Sequence, residues 1–398
     1  MSRLASSDRA LLLPTWAAAD GLGQVTLLSM PFMLGMYVTS LHFELARAGI
    51  LVSIELCTLS IVCIAVSPWV DRASKRKLAL IGALIAIAGN GLSLLGHSFA
   101  MLALYRTLTA VGYGLAMASG NAAVTSAENP ARLYDNKMMV FAATQLLIVT
   151  LVPLVLAHAG PQGFFVFMVL LNVLMVPLVL RLPHVRKEVS ASRLVLPRAK
   201  LQVPAMIAAS LVLFAVAAYA LRESLCWAFV ERLGVGVKVD AQLVGMLVGV
   251  GTLPGILMPR LATLLRARFG AIGPAVLGVV VGGGILYAIS ATDNRTTFLV
   301  LLLVWPAAYF FSVPLLMGIA ARIDSEGRVI AAAAGALQIA FAAGPAVAGF
   351  LVERSGPDAL SQVTLVATGA MVTVILCCAV SITRLSKHEL RQAQAQRA

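Results

Sequence analysis

Stretches of about twenty apolar residues recur along almost the whole of this 398-residue chain, divided by short polar segments. A helix rises about 1.5 Å per residue, so about 20 residues cross a hydrocarbon core about 30 Å thick. Within lipid every backbone N–H and C=O must be paired inside the segment, and runs of this kind therefore fold as spanning helices. The stretches fall near 12–37, 45–67, 77–97, 99–122, 137–157, 163–181, 204–229, 241–259, 270–290, 297–320, 329–352 and 360–383. The expected fold is an all-α polytopic membrane protein of about twelve transmembrane helices, with short connections that make neighbours antiparallel. Composition agrees: 60% of residues are hydrophobic and 12% charged, against about 45–50% and about 25% in a soluble domain. Met1–Ala10 is polar and the run behind it is too long for a signal core, so no cleavable signal is expected.

The net charge of +13 would suit a nucleic-acid binder, but the bases sit in the segments between spans. With both termini inside, about 23 of the 30 Lys and Arg residues are cytoplasmic, about 5 external and about 2 intramembrane. That asymmetry is the positive-inside pattern, and shifting the count by one span would reverse it. The longest connection, near 182–203, carries Arg181, Arg186, Lys187, Arg193, Arg198 and Lys200 and separates two sets of six spans. The expected parts are an N-terminal lobe (1–182), a cytoplasmic basic linker (183–203), a C-terminal lobe (204–384) and a cytoplasmic tail (385–398). The expected location is the plasma membrane, with the short loops pointing to a bacterial inner membrane. Cys57, Cys63, Cys226, Cys377 and Cys378 all lie in apolar stretches and read as small core residues.

Between spans 2 and 3 runs Ser67-Pro68-Trp69-Val70-Asp71-Arg72-Ala73-Ser74-Lys75-Arg76-Lys77. It resembles the major facilitator superfamily signature Gly-x-x-x-Asp-Arg-x-Gly-Arg-Lys through Asp71, Arg72, Lys75 and Arg76, with Ser67 and Ser74 in place of both glycines. Span 4 carries Arg106-Thr107-Leu108-Thr109-Ala110-Val111-Gly112. That is similar to the family's Arg-x-x-Gln-Gly-x-Gly, with Thr109 and Ala110 as departures. The halves are weakly repeated: Gln145 then Pro153 in span 5, Gln338 then Pro345 in span 11. The loop expected after span 8, Pro259 to Arg268, occupies the place of the opening signature without its acid. Span 5 keeps Pro153 but lacks the glycines of the drug antiporter motif. The resemblance implies two pseudo-symmetric six-helix lobes that rock about a midplane site.

Ionisable residues within spans cost about 2.5–3.5 kcal/mol each on insertion scales and so mark function. Asp20, Glu55 and Arg106 lie at depths that agree within about 8 Å, and the resemblance puts spans 1 and 4 on the central cavity. They are the expected proton-coupling set: Asp20 as principal acid, Arg106 as its fixed counter-charge, Glu55 assisting. Trp16 and Gln24, one turn either side of Asp20, should share its face. With them, Tyr113, Gln145, Tyr219, Trp305, Tyr309, Ser312 and Gln338 are the candidate cavity residues. Arg222 and Glu223 fall near the outer interface, where they would anchor in water or form an outer gate. Asp71, Arg72 and Arg76, facing Arg328 at the start of span 11, would form a cytoplasmic gate.

The five histidines sit at span ends or in cytoplasmic segments, and no nucleophile–His–acid set, phosphate loop or metal spacing occurs. No catalysis, cofactor, metal or nucleic acid is expected. The expected function is secondary active, proton-coupled transport of a small organic solute by a monomer in the bilayer. A facilitator or sodium-coupled carrier, and a non-transporting receptor or scaffold on the same fold, are the alternatives. Neutral replacement of Asp20 separates the last: a scaffold would change only in stability, whereas a carrier would lose flux.

Overall fold

The computed structural model describes residues 6–70, 73–96, 98–183, 203–255, 257–323 and 328–395. Every regular element among the described residues is helical. Among these described residues ten helices are long and apolar enough to cross a membrane, and an eleventh arises if the bent pair Ala241–Gly255 and Met258–Phe269 is one span. One of the ten, Pro130–Val179, has 50 residues, or about 75 Å of helix, more than twice the core thickness. It breaks at Gly160, with φ 59° and ψ −157°, a backbone that a Cβ would strain. Pro161 then restarts the helix with its preset φ. Counting its two arms apart gives the expected twelve.

In order, the spans are Ser7–Thr39, Leu45–Val70, Lys75–Ser93, Phe99–Val124, the two arms of Pro130–Val179, Val203–Gly236, the bent pair, Ile272–Ala291, Arg295–Ile323, Arg328–Ser355 and Asp358–Ala395. Consecutive spans run antiparallel, so the start of the first span and the end of the last lie on one side, here the near side. Two boundaries differ from expectation. The segment Pro259–Arg268 is no loop but part of helix Met258–Phe269, set at 43° to its neighbour. Its Arg266 and Arg268 occupy the last turn, where cations suit the helix dipole. The last helix also continues through the expected tail to Ala395. Most of the basic linker, residues 184–202, lies outside the described residues.

Without a hydrophobic drive between helices in lipid, close approach rests on small residues. Spans 3 and 4 meet at Gly82 and Gly112, where a Cβ on Gly82 would lie 2.5 Å from the Gly112 carbonyl oxygen. The two halves of the chain meet through spans 2 and 11, 1 and 7, and 5 and 8. Prolines shape this seam. Proline cannot bond the carbonyl four residues earlier, so Pro31, Pro153 and Pro345 free the carbonyls of Leu27, Val149 and Phe341. Trp227 of span 7 donates its indole N–H to the Leu27 oxygen at 2.8 Å. The Val149 oxygen lies against the Cα of Gly245 in span 8, with no room for a Cβ. Ser224 donates to the Phe341 oxygen at 2.6 Å. The Ala346 N–H beside the kink crosses to Ser53 Oγ at 2.9 Å, and the Ala46 N–H crosses to Glu353 Oε2 at 2.8 Å.

These contacts run from mid-height to the side opposite the near one, the far side. Burial follows them. In span 2, residues 48, 49, 51, 52, 53, 55, 56, 59 and 60 are buried, while 61–69 on the near side are not. The halves are therefore sealed against each other on the far side.

Candidate functional site

Span 1 is not uniform. Between Ser6–Trp16 and Val25–Thr39 the chain forms one wide π-helical turn, Ala17–Leu22. Such turns insert a residue into the helical register and recur at functional sites. This one carries Asp20, whose carbonyl accepts N–H bonds from both Gly23 and Gln24. Span 4 approaches it closely: a Cβ on Gly120 would lie 2.5 Å from the Ala19 nitrogen. Asp20 is only 4% exposed. Its partner is Lys137 of span 5, with Nζ 3.3 Å from Oδ2 and 3.4 Å from Oδ1. The pair is loose, and Oδ2 makes no hydrogen bond. Lys137 also donates to Asn121 Oδ1 at 3.1 Å and lies over the Tyr134 ring.

Arg106 is not the counter-charge of Asp20. It grips Glu55 through two bonds, Nε to Oε2 at 2.9 Å and Nη2 to Oε1. Its Nη1 donates to Asn90 Oδ1 at 2.6 Å, and its guanidinium faces the Phe165 ring. Thr26 donates to Glu55 Oε1 at 2.7 Å. Asn90 donates to the Tyr113 hydroxyl, which is also bonded to Asn172. Spans 1, 2, 3, 4 and 6 are thus tied into one buried network. Removing one partner of such a pair costs about 3–5 kcal/mol, because the other charge is left buried alone. The three expected coupling residues fall into two sites: a locked Glu55–Arg106 cluster and a loose Asp20–Lys137 pair.

Arg222 and Glu223 do not lie in interfacial water. Span 7 continues to Gly236, fourteen residues past Arg222, or about 21 Å. Both side chains are buried. Although adjacent in sequence, they pair, Nη2 to Oε1 at 2.7 Å, because the long arginine curls back across its own turn. Arg222 Nη1 donates to the Val279 carbonyl at 2.9 Å and the Thr368 hydroxyl at 3.0 Å. Trp305 donates to Glu223 Oε2 at 2.8 Å. Tyr219 lies under the guanidinium and beside Tyr309, 6.1 Å between rings. The structure therefore gathers Tyr219, Arg222, Glu223, Trp305 and Tyr309 into one cluster. Ser312 joins it: its side chain is hydrogen-bonded to that of Tyr219, and its hydroxyl also donates to the Ala308 carbonyl.

Among the other expected cavity residues, Trp16 donates to Thr144 of span 5 at 2.9 Å, and Tyr113 is buried inside the Arg106 network. Gln24, Gln145 and Gln338 are half-buried. Gln24 keeps an i,i+4 backbone bond to Asp20, at 3.2 Å. Of the expected cytoplasmic gate, Asp71 and Arg72 lie outside the described residues. Arg76 donates Nε–H to the Leu182 carbonyl at 2.8 Å, within its own half. Arg328 begins span 11.

The family model of the Major Facilitator Superfamily matches residues 22–326. The chain belongs to the major facilitator superfamily. It is a non-enzymatic, multi-pass membrane transporter, of a family that binds small molecules within the membrane. The nucleoside transporter NupG shares the fold, with a TM-score of 0.71 at 13% identity over 95% of this chain and 99% of that one. A bacterial homologue of the human lysosomal transporter Spinster, captured inward-facing and unoccupied, gives 0.68 at 14% identity over 95% and 96%. The human organic anion transporter MFSD10 gives 0.61 at 15% identity over 92% and 100%. No curated protein matches the chain closely enough to count as a relative.

In this transporter of the superfamily, sequence reasoning missed Lys137, Asn90, Thr26 and Glu231. Lys137 had a signal: Pro130 at the start of its helix, with Asn129 as cap, puts the amine about 10 Å inside the helix. Asn90 had one too, as a buried amide on a glycine-flanked face of span 3.

Proposed function

We propose that this transporter carries a small organic solute by alternating access, driven by protons exchanged at Asp20. Its rocking bodies are residues 1–182 and 204–384, joined by 183–203, with 385–398 as a cytoplasmic tail. The near side is cytoplasmic and the far side periplasmic, as the positive-inside count requires, in a bacterial inner membrane. The observation that carries the coupling role is the loose Asp20–Lys137 pair on the π turn. A carboxylate in the membrane core holds its charge only beside a counter-charge or water. A rearrangement that separates Lys137 from Asp20 therefore favours proton uptake, and one that reunites them favours release. Glu55–Arg106, with its bonds filled, is the rigid reference against which span 1 moves.

The solute site lies between the halves near mid-height. It is bounded by the Asp20–Lys137 pair on one side and the Tyr219, Arg222, Glu223, Trp305 and Tyr309 cluster on the other. Both signs of charge face this region from each half, which suits a polar or zwitterionic solute. The gate roles of Asp71, Arg72, Arg76 and Arg328, and of Arg222–Glu223, belong to this proposal. The test is uptake into vesicles holding the purified protein, screened with nucleosides, dipeptides and organic anions under an imposed pH gradient. Accumulation of one class above equilibrium, abolished by a protonophore, supports the reading. Equilibration without accumulation would make the protein a facilitator.

A further inference from the structure

Glu231 lies two turns beyond the Arg222–Glu223 pair on span 7, on the sealed far side, and takes no part in the clusters above. The residue is 8% exposed, and its Oε2 has no hydrogen-bond partner among the described residues. It crosses the seam to span 1, where it seats in the notch of Gly35. A Cβ there would collide with Oε2 and lie 2.9 Å from Cδ. Carboxylate and notch line a cavity of about 230 Å3, with Phe32 from span 1, Pro153 and Leu156 from span 5, and Ala241 from span 8. Both halves therefore contribute to it, and it exists in this form only while they are closed.

Among the described residues, Glu231 is the one ionisable residue lining the cavity. Arg232 is the neighbouring charge on its own helix, but the two form no ion pair. Span 1 offers only the Thr39 and Ser40 hydroxyls. The ionisable residues next in sequence to lining residues on spans 5 and 8, His158 and Asp240, are exposed. A charged carboxylate seated here would be desolvated with no counter-ion at bonding distance, which is costly. A neutral one carries a single polar hydrogen and fits.

We propose that Glu231 is a proton-binding site of the far-side gate: its carboxyl must take up a proton before the notch at Gly35 can receive it. Opening the far side exposes the carboxyl to water, where it can ionise, and that charge then holds the seam open. The inference rests on the alternating-access reading and adds a second protonation site, independent of Asp20. With one proton taken up on closing, the closed-to-open ratio falls about tenfold per pH unit once the open-state carboxyl is ionised.

The experiment uses the full chain in nanodiscs, with spin labels at Ala159 and Val235, exposed positions near the far ends of spans 5 and 7. Distances are read by pulsed electron resonance from pH 5 to 8. In the parent, the short, closed distance should give way to a longer one as pH rises. Glu231→Gln should stay closed, its ratio changing less than about twofold across a range where the parent changes at least about a hundredfold. Gly35→Ala should favour the open distance at every pH, because the notch is filled. Asp20→Asn should keep the parent's far-side response, which separates failure here from failure of the coupling proposal. The same pH response in Glu231→Gln, or none in the parent, would overturn the assignment. So would closure by sodium at fixed high pH, which would make the site one for a metal cation.

Discussion

Placing a methyl group at Gly49 should open the far side of the transporter. Gly49 of span 2 lies against the backbone of Pro345 in span 11: an added Cβ would meet the Pro345 oxygen, with the Pro345 carbonyl carbon at 2.9 Å and the Ala346 Cα at 3.3 Å. These are backbone atoms, so no rotamer change relieves the clash and the helices must part. Overpacking of this kind costs about 1–3 kcal/mol. The cost falls almost wholly on the far-side-closed state, because Gly49 and Pro345 belong to different halves. The closed-to-open ratio should therefore drop about 5- to 150-fold. The assay is the distance between labels at Ala159 and Val235 in nanodiscs. Gly349→Ala attacks the same seam from span 11, where its Cβ would lie 2.5 Å from the Leu45 oxygen. Since one pair of helices carries both contacts, the double variant should fall short of additivity. Gly91→Ala, with nothing within 4 Å of its added Cβ, is the control and should leave the distance unchanged. If Gly49→Ala keeps the parent's distribution while folded, the seam is not what holds the far side shut.

Trp227→Phe removes the donor to the Leu27 carbonyl that Pro31 frees, leaving a buried acceptor unpaired at about 1–3 kcal/mol; the same label pair should report a more open far side. Arg106→Leu strands the Glu55 carboxylate in its buried network and should lower stability by about 3–5 kcal/mol, read as a fall in thermal midpoint, with part of it regained in Glu55→Gln/Arg106→Leu. Lys137→Met leaves Asp20 without its counter-charge and should lower the thermal midpoint. Adding Asp20→Asn should restore that midpoint without restoring proton coupling, and equal midpoints for single and double variants would show that the two side chains do not interact.

The number and course of the spans were legible because span length is set by the bilayer itself. Gly160-Pro161 marked the break between spans 5 and 6, since only glycine takes that backbone easily and proline restarts a helix. The site was less legible, for geometric reasons. Depth along a helix says nothing about azimuth, so Asp20, Glu55 and Arg106 at similar depth looked like one cluster although Asp20 faces span 5. The π turn has no signature in Ala17-Ala18-Ala19-Asp20-Gly21-Leu22, whose small residues fit an α-helix equally well. Arg222 and Glu223 were misplaced because the charge pair Glu231-Arg232 reads as the end of span 7, whereas the helix continues to Gly236. The carbonyls freed by Pro31, Pro153 and Pro345 are implicit in the sequence, but their partners Trp227, Gly245 and Ser224 emerge only once the helices are packed.

On the proposed mechanism Asp20 carries the proton that drives the solute. The direct test is proton movement into vesicles that contain the purified protein and a pH-sensitive dye, started by adding the solute class found in the uptake screen. The parent should move protons with the solute. Asp20→Asn should move none, yet still exchange labelled for unlabelled solute, because exchange needs no net proton transfer. Proton movement by Asp20→Asn at the parent's rate would place the coupling elsewhere.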